Sequence, residues 1–181
     1  GLVGSEMCIR DSNKIIDILA DSSLSGSEHK QERREKIMAI AVKGFDFEEM
    51  AKRVLGRTWN TIDEKQRSHF EQLFTKLLEN AYIGKLESYS GQEVKFEEER
   101  VKGDRAQVST VIDNNGTPIP VHYVMLQKDA SWKVYDINIE GVSLVRNYRE
   151  QFKSILRKDD FNGLVKVLEE KNASFSSGEN N

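Results

Sequence analysis

Three groups of side chains in this sequence are of types that do chemistry: one histidine with two carboxylates, a set of tyrosines, and a pair of arginines. His122, Asp136 and Glu140 are the types used in general acid–base catalysis, which needs a base within hydrogen-bond reach of the proton it removes. Strand alternation places His122 on the face opposite Tyr123, and gives Asp136 the parity of Trp132 and Val134. A buried aspartate there is expected to bond backbone at a sheet corner. Tyr82, Tyr89, Tyr123, Tyr135 and Tyr148 fall at element ends or near a glycine corner. Such a tyrosine can turn its ring to an apolar partner and leave its hydroxyl to a polar one. A plain bond from each hydroxyl to a backbone carbonyl is the equal alternative. Arg146 and Arg149 flank Tyr148, and a guanidinium suits a phosphodiester. The ordinary place for such a pair is a solvated helix face.

Other chemistry finds no support. The sequence contains no glycine-rich phosphate loop, no Gly-x-Ser-x-Gly elbow and no His/Cys spacing suited to a metal. Cys8 is the single cysteine, which excludes an internal disulfide framework. The net charge of −3 gives no electrostatic case for nucleic acid or an anionic membrane surface. A charged fraction of 31% and a mean hydropathy of −0.60 fit a soluble domain. No apolar run reaches the roughly eighteen residues of a bilayer span. Residues 1–12, GLVGSEMCIRDS, have neither a basic n-region nor an apolar h-region. They are expected to be foreign to the mature domain, with a natural disordered tail as the alternative.

The elements that must position these groups are readable from period. A short helix is expected over 13–20, a polar loop over 22–27, and a second helix over 31–42 with Ile37, Ile40 and Ala41 inward. Asp46 with Glu49 forms a capping signature for a helix through Met50 and Val54, closed by Gly56. Thr61 with Glu64 repeats the signature and is expected to open the longest helix, whose stripe is Phe70, Leu73, Phe74, Leu77, Leu78 and Ala81. From Gln92 the period becomes two. Four strands follow, turning at Gly103-Asp104, Asn115-Gly116 and 129–131. Glu97, Glu98 and Glu99 are expected on a solvated strand edge. After Trp132 to Ile139, Gly141 permits a corner and Ser143 is placed to cap a helix bearing Leu144, Val145, Tyr148, Phe152 and Ile155 on one face. A last helix spans 160–171, and 172–181 is expected to be a disordered tail. The expected fold is α+β, a single domain over 13–171. Its antiparallel four-stranded or slightly larger meander would carry helices on its concave face.

Four segments together resemble the MlaC-type family, the toluene-tolerance or lipid-asymmetry carriers of the bacterial periplasm. They are FDFEEMAKRVLGRTW (Phe45 to Trp59), EKQRSHFEQLFTKLLENAY (Glu64 to Tyr82), PIPVHYVMLQKDASWKVYD (Pro118 to Asp136) and WKVYDINIEGVSLVRNYREQF (Trp132 to Phe152). The resemblance covers roughly residues 13 to 172. It implies a periplasmic phospholipid carrier rather than an enzyme, with a cone-like cavity of the nuclear-transport-factor type. Bound phospholipid would be cargo and no cofactor is implied. The implied partners are an outer-membrane lipoprotein complex and an inner-membrane ABC transporter with its substrate-binding ring protein. The carrier is expected to be a monomer, with only transient membrane proximity and no nucleic acid.

A diacyl lipid must be shielded along most of its hydrocarbon, at about 0.8 kcal/mol per buried methylene. Under the resemblance, the acyl-contacting residues are expected among Phe70, Phe74, Leu77, Tyr82, Val108, Thr110, Tyr123, Met125, Tyr135, Ile137, Val142, Val145 and Tyr148. Arg146 and Arg149 are the expected rim or headgroup residues. Read from periodicity alone, the same stripes are ordinary core. The remaining alternatives are a cone-fold isomerase or dehydratase acting on a small apolar substrate, and a scaffolding module with a filled core.

Overall fold

A computed structural model describes residues 18, 22–87 and 93–176. The expectations for the first helix, Tyr89, residues 1–12 and the last five residues therefore lie outside the described residues, Ile18 excepted. The chain divides into two compact units. One comprises Gly1–Asp46 with Glu87–Leu144, the other Phe47–Leu86 with Val145–Asn181.

The first unit is built on a five-stranded antiparallel sheet in sequence order, with β1 Glu93–Lys102, β2 Arg105–Asn114, β3 Thr117–Lys128, β4 Ser131–Ile139 and β5 Val142–Ser143. The α+β meander is thus present, and the corner after β4 adds a fifth, two-residue strand. The turns use left-handed residues, as tight hairpins require. Asn115 and Gly116 have φ of 54° and 91°, and Glu140 and Gly141 have 51° and 85°. On one face β2 presents Ala106, Val108, Thr110 and Ile112. Opposite them in register stand Met125, Tyr123, Val121 and Ile119 of β3. Ala106, Val108, Met125, Trp132 and Val134 form a buried cluster, with Phe45, Tyr123 and Ile137 packed against it.

Helix α1, Lys30–Gly44, delivers the chain to this sheet. Phe45 makes a parallel bridge to Val134, the Asp46 amide donates to the Val134 carbonyl at 2.8 Å, and Lys128 Nζ lies 2.8 Å from Asp46 Oδ2. Asp46 is therefore held to β3 by an ion pair within this unit and immediately precedes the next helix in sequence.

The second unit is helical: α2 Phe47–Leu55, a 3-10 segment Gly56–Thr61, α3 Glu64–Glu87, α4 Leu144–Lys158 (whose first residue belongs to the sheet unit) and α5 Phe161–Ser176. Gly56 ends α2 with φ 57°. The start of α3 differs from the sequence expectation. Its capping box is Asp63 with Gln66: the Gln66 amide donates to Asp63 Oδ1 at 2.8 Å, and the Asp63 amide to Gln66 Oε1 at 2.9 Å. Thr61 is occupied in the preceding 3-10 segment, its hydroxyl donating to the Thr58 carbonyl at 2.8 Å. The C-terminal helix also runs further than expected, through Ser176. Asn172 accounts for this, donating to the Leu73 carbonyl at 3.2 Å while its Oδ1 accepts from Asn80 Nδ2 at 3.1 Å.

Candidate functional site

The sheet unit gathers Val108, Thr110, Tyr123, Met125 and Ile137 on one face. Thr110 is buried and turns its hydroxyl to the Val121 carbonyl at 2.8 Å, so it presents its methyl group at no hydrogen-bonding cost. Val108 and Met125 have essentially no accessible surface, whereas Tyr123 and Ile137 keep some. Val142 follows on the two-residue strand, paired with Ile139 and exposed.

Tyr135 does not join this face. Val134 pairs with Met125 but Asp136 pairs with Val124, which leaves Tyr135 as the extra residue of a β-bulge. Its hydroxyl accepts from Arg105 Nη1 at 3.4 Å, and Arg105 precedes Ala106, pointing to the other side of the sheet. The bulge also shifts parity beyond it. Ile137 rejoins the face of Val134, and Asp136 leaves it, contrary to the simple alternation expected from the sequence. Asp136 Oδ1 accepts from the Ile137 amide at 2.8 Å and Oδ2 from the Ser143 hydroxyl at 2.5 Å. The expected corner anchor is therefore present, with Ser143 as its second partner.

His122 points to the polar face, as expected, with Nδ1 2.8 Å from Ser109 Oγ and 3.4 Å from Gln107 Nε2. Glu140 occupies the exposed tip of the β4–β5 turn. His122 and Asp136 thus each have side-chain partners of their own, and Glu140 lies at an exposed turn. Among the described residues no cluster of three or more His, Cys, Asp or Glu side chains is placed to hold a metal ion.

In the helical unit Phe70, Phe74 and Leu77 are buried on α3, and Val145 and Tyr148 on α4. Phe74 meets Tyr148 edge-on at 5.5 Å between centroids and Phe152 at 6.0 Å, while Phe70 meets Phe152 edge-on at 5.9 Å. Phe161 joins through Phe70 at 6.1 Å. Phe152 and Phe161 thus pack with Phe70, and the helical spacing from Tyr148 to Phe152 was the available signal for the first of them. Tyr82 and Tyr148 share a side-chain hydrogen bond. Burial, with Tyr82 beside it, pushes the Tyr148 hydroxyl up to about 12, and burial raises Tyr82 as well. Both therefore stay neutral at ordinary pH, giving a polar but uncharged pair beside an aromatic cluster.

The two arginines are exposed. Arg149 lies over the end of α2: its Nη2 is 3.2 Å from where a Cβ on Gly56 would stand. Gly56 therefore serves the left-handed turn and the close approach of this guanidinium together.

Comparison with known proteins accords with this architecture. A phospholipid-binding protein from Ralstonia solanacearum, determined in complex with a phospholipid, superposes with a TM-score of 0.86 at 27% identity, covering 94% of this chain and 97% of that one. The intermembrane phospholipid transport system binding protein MlaC of Haemophilus influenzae is 28% identical over 131 residues, 69% of this chain. The toluene tolerance protein ttg2D of Pseudomonas putida is 27% identical over 107 residues, 58% of this chain. The matched stretches span 61% and 49% of the lengths of those two relatives. The family model described as MlaC protein matches residues 10–170, and the chain accordingly belongs to the MlaC family.

Proposed function

We propose that this protein is a periplasmic carrier that binds phospholipid by its acyl chains. In this reading it shuttles lipid between an outer-membrane lipoprotein complex and an inner-membrane ABC transporter with its substrate-binding ring protein. The observation that carries the reading is the match, over 94% of this chain, to a protein determined with a phospholipid bound. The names of the two relatives, one an intermembrane phospholipid transport component and one a toluene tolerance protein, support the same direction.

The residues of the chain suit the task. Acyl chains make no directional bonds, so their carrier needs apolar area rather than a charged clamp, at about 0.8 kcal/mol per buried methylene. We assign acyl contact in the sheet unit to Tyr123, Ile137 and Val142 with Val108, Thr110 and Met125 behind them. In the helical unit the candidates are Tyr82, Val145 and Tyr148 with Phe70, Phe74 and Leu77. Arg146 and Arg149 are the rim candidates, and Arg149 is seated at Gly56. No residue is assigned a catalytic role, since Asp136 and Ser143 pin the sheet corner and His122 stands on the polar face.

The test is transfer of a fluorescent phospholipid from donor to acceptor vesicles, with the protein as the only carrier. Transfer that scales with protein concentration supports the proposal. A rate equal to spontaneous exchange at all concentrations contradicts it.

A further inference from the structure

The net charge of −3 is unevenly divided: the helical unit has a small excess of lysine and arginine, and the sheet unit carries the negative excess. Within the helical unit the positive excess gathers on α4. Arg146, Arg149, Lys153 and Arg157 follow one another at spacings of three, four and four residues, so they share one helix face. All four are exposed, whereas Val145, Tyr148 and Phe152 are buried, the two aromatic rings against those of α3. The basic stripe runs about 16 Å at roughly 1.5 Å per residue. Glu150 is the only carboxylate of the helix.

Elsewhere cations are paired locally, Arg53 with Glu49 at 2.9 Å, Lys76 with Glu79 at 3.1 Å and Lys128 with Asp46 at 2.8 Å. Among the described residues Arg149, Lys153 and Arg157 have no such carboxylate partner. Arg149 lies over Gly56 instead, which sets the stripe beside Arg57, the next residue and also exposed. This surface offers no apolar anchor, because among the described residues no large hydrophobic side chain of α2, the 3-10 segment or α4 is exposed.

We propose that the stripe of Arg146, Arg149, Lys153 and Arg157, with Arg57 beside it, is a docking surface for an anionic phospholipid bilayer, held by charge alone. Guanidinium and ammonium groups both suit a headgroup phosphate. A protein partner would need aromatic or aliphatic anchors at the centre of its contact, and the stripe has none. A bilayer surface needs only charge, at about fivefold in affinity for each lysine or arginine brought near it. The local excess outweighs the overall charge, because interactions between exposed charges fade beyond about 8 Å at physiological salt. The contact is therefore weak and reversed by salt. It goes beyond the carrier reading and does not require that lipid be carried.

The experiment is co-sedimentation of the full chain with vesicles, either phosphatidylcholine alone or an equimolar mixture of phosphatidylglycerol and phosphatidylcholine, in rising salt. The parent should bind the phosphatidylglycerol vesicles at low salt, lose them as salt rises, and leave phosphatidylcholine unbound. The double reversal Lys153→Glu with Arg157→Glu should weaken binding at least about twentyfold. It spares Arg146 and Arg149, so the rim candidates stay intact. Lys95→Glu with Lys102→Glu makes the same change in net charge on β1 and should bind like the parent. Lys153→Gln with Arg157→Gln serves if the reversed protein does not fold, and should weaken binding less but in the same direction. Equal binding to both vesicle types, parental binding by the folded α4 variants, or equal weakening by the β1 pair would overturn the proposal. So would a parent that ignores bare lipid and sediments only when an acidic protein is anchored to the vesicles, which would assign the stripe to a protein partner.

Discussion

The Ser143 hydroxyl donates to Asp136 Oδ2 at 2.5 Å, joining the last full strand to the residue just before α4. A hydrogen bond to an ionised group is worth more than a neutral one, and removing one partner leaves the other short of a bond. Ser143→Ala and Asp136→Asn should each lower stability by about 1–2 kcal/mol. Phospholipid transfer by the folded fraction should persist. Urea denaturation beside a transfer assay checks both halves, and loss of transfer in fully folded Asp136→Asn would revive a chemical role.

The capping box at α3 makes a sharper forecast. Asp63→Ala should cost about 1 kcal/mol by removing the acceptor for the Gln66 amide. Thr61→Ala should cost less than about 0.5 kcal/mol, since that exposed hydroxyl bonds only within the 3-10 segment. Comparing the two urea midpoints decides which residue starts the helix.

That pair shows how much of the fold the residues reveal in advance and where they stop. Thr61-x-x-Glu64 and Asp63-x-x-Gln66 are overlapping capping signatures, and only the 3-10 continuation after Gly56 selects the second. The long helical stripe through Phe70, Phe74 and Leu77 and the hairpin at Asn115-Gly116 follow directly from local pattern. The bulge at Tyr135 does not, because a period-two alternation carries no mark of an extra residue. It leaves Tyr135 as the extra residue and turns Ile137 onto the face of Val134. The extension of α5 past Lys171 was equally hidden, depending on Asn172 bonding to Asn80 and Leu73 on a distant stretch of chain. Of the candidate residues, the shared face of Val108, Thr110, Tyr123 and Met125 follows from parity, whereas the positions of Tyr135 and Ile137 and the seat of Arg149 beside Gly56 do not.

Asp129 and Ala130 turn the β3–β4 hairpin with φ of 50° and 63°. Left-handed backbone costs a residue with a Cβ about 1–2 kcal/mol, part of which glycine returns through its greater freedom when unfolded. Ala130→Gly should therefore raise stability by about 0.5–1 kcal/mol. A higher melting temperature with unchanged lipid transfer is the expected result.

Tyr148 predicts an alkaline limit. Its hydroxyl titrates at about 12 in the folded protein, against the usual 10.0. Between those values the folded state holds a proton that the unfolded state has lost, so stability falls as pH rises. Below pH 10 both states hold it and the contribution is fully present. Urea midpoints from pH 9 to 12 should fall less steeply in Tyr148→Phe than in the parent, and absorbance of the parent near 295 nm should show a tyrosine ionising late.

The central claim is that the protein holds phospholipid, and native mass spectrometry of the protein purified from a bacterium without added lipid addresses it most directly. We predict protein ions carrying the added mass of a diacyl phospholipid such as phosphatidylethanolamine or phosphatidylglycerol, released on collisional activation. Protein that is folded and consistently empty, with no phosphorus in the purified sample, would contradict the account.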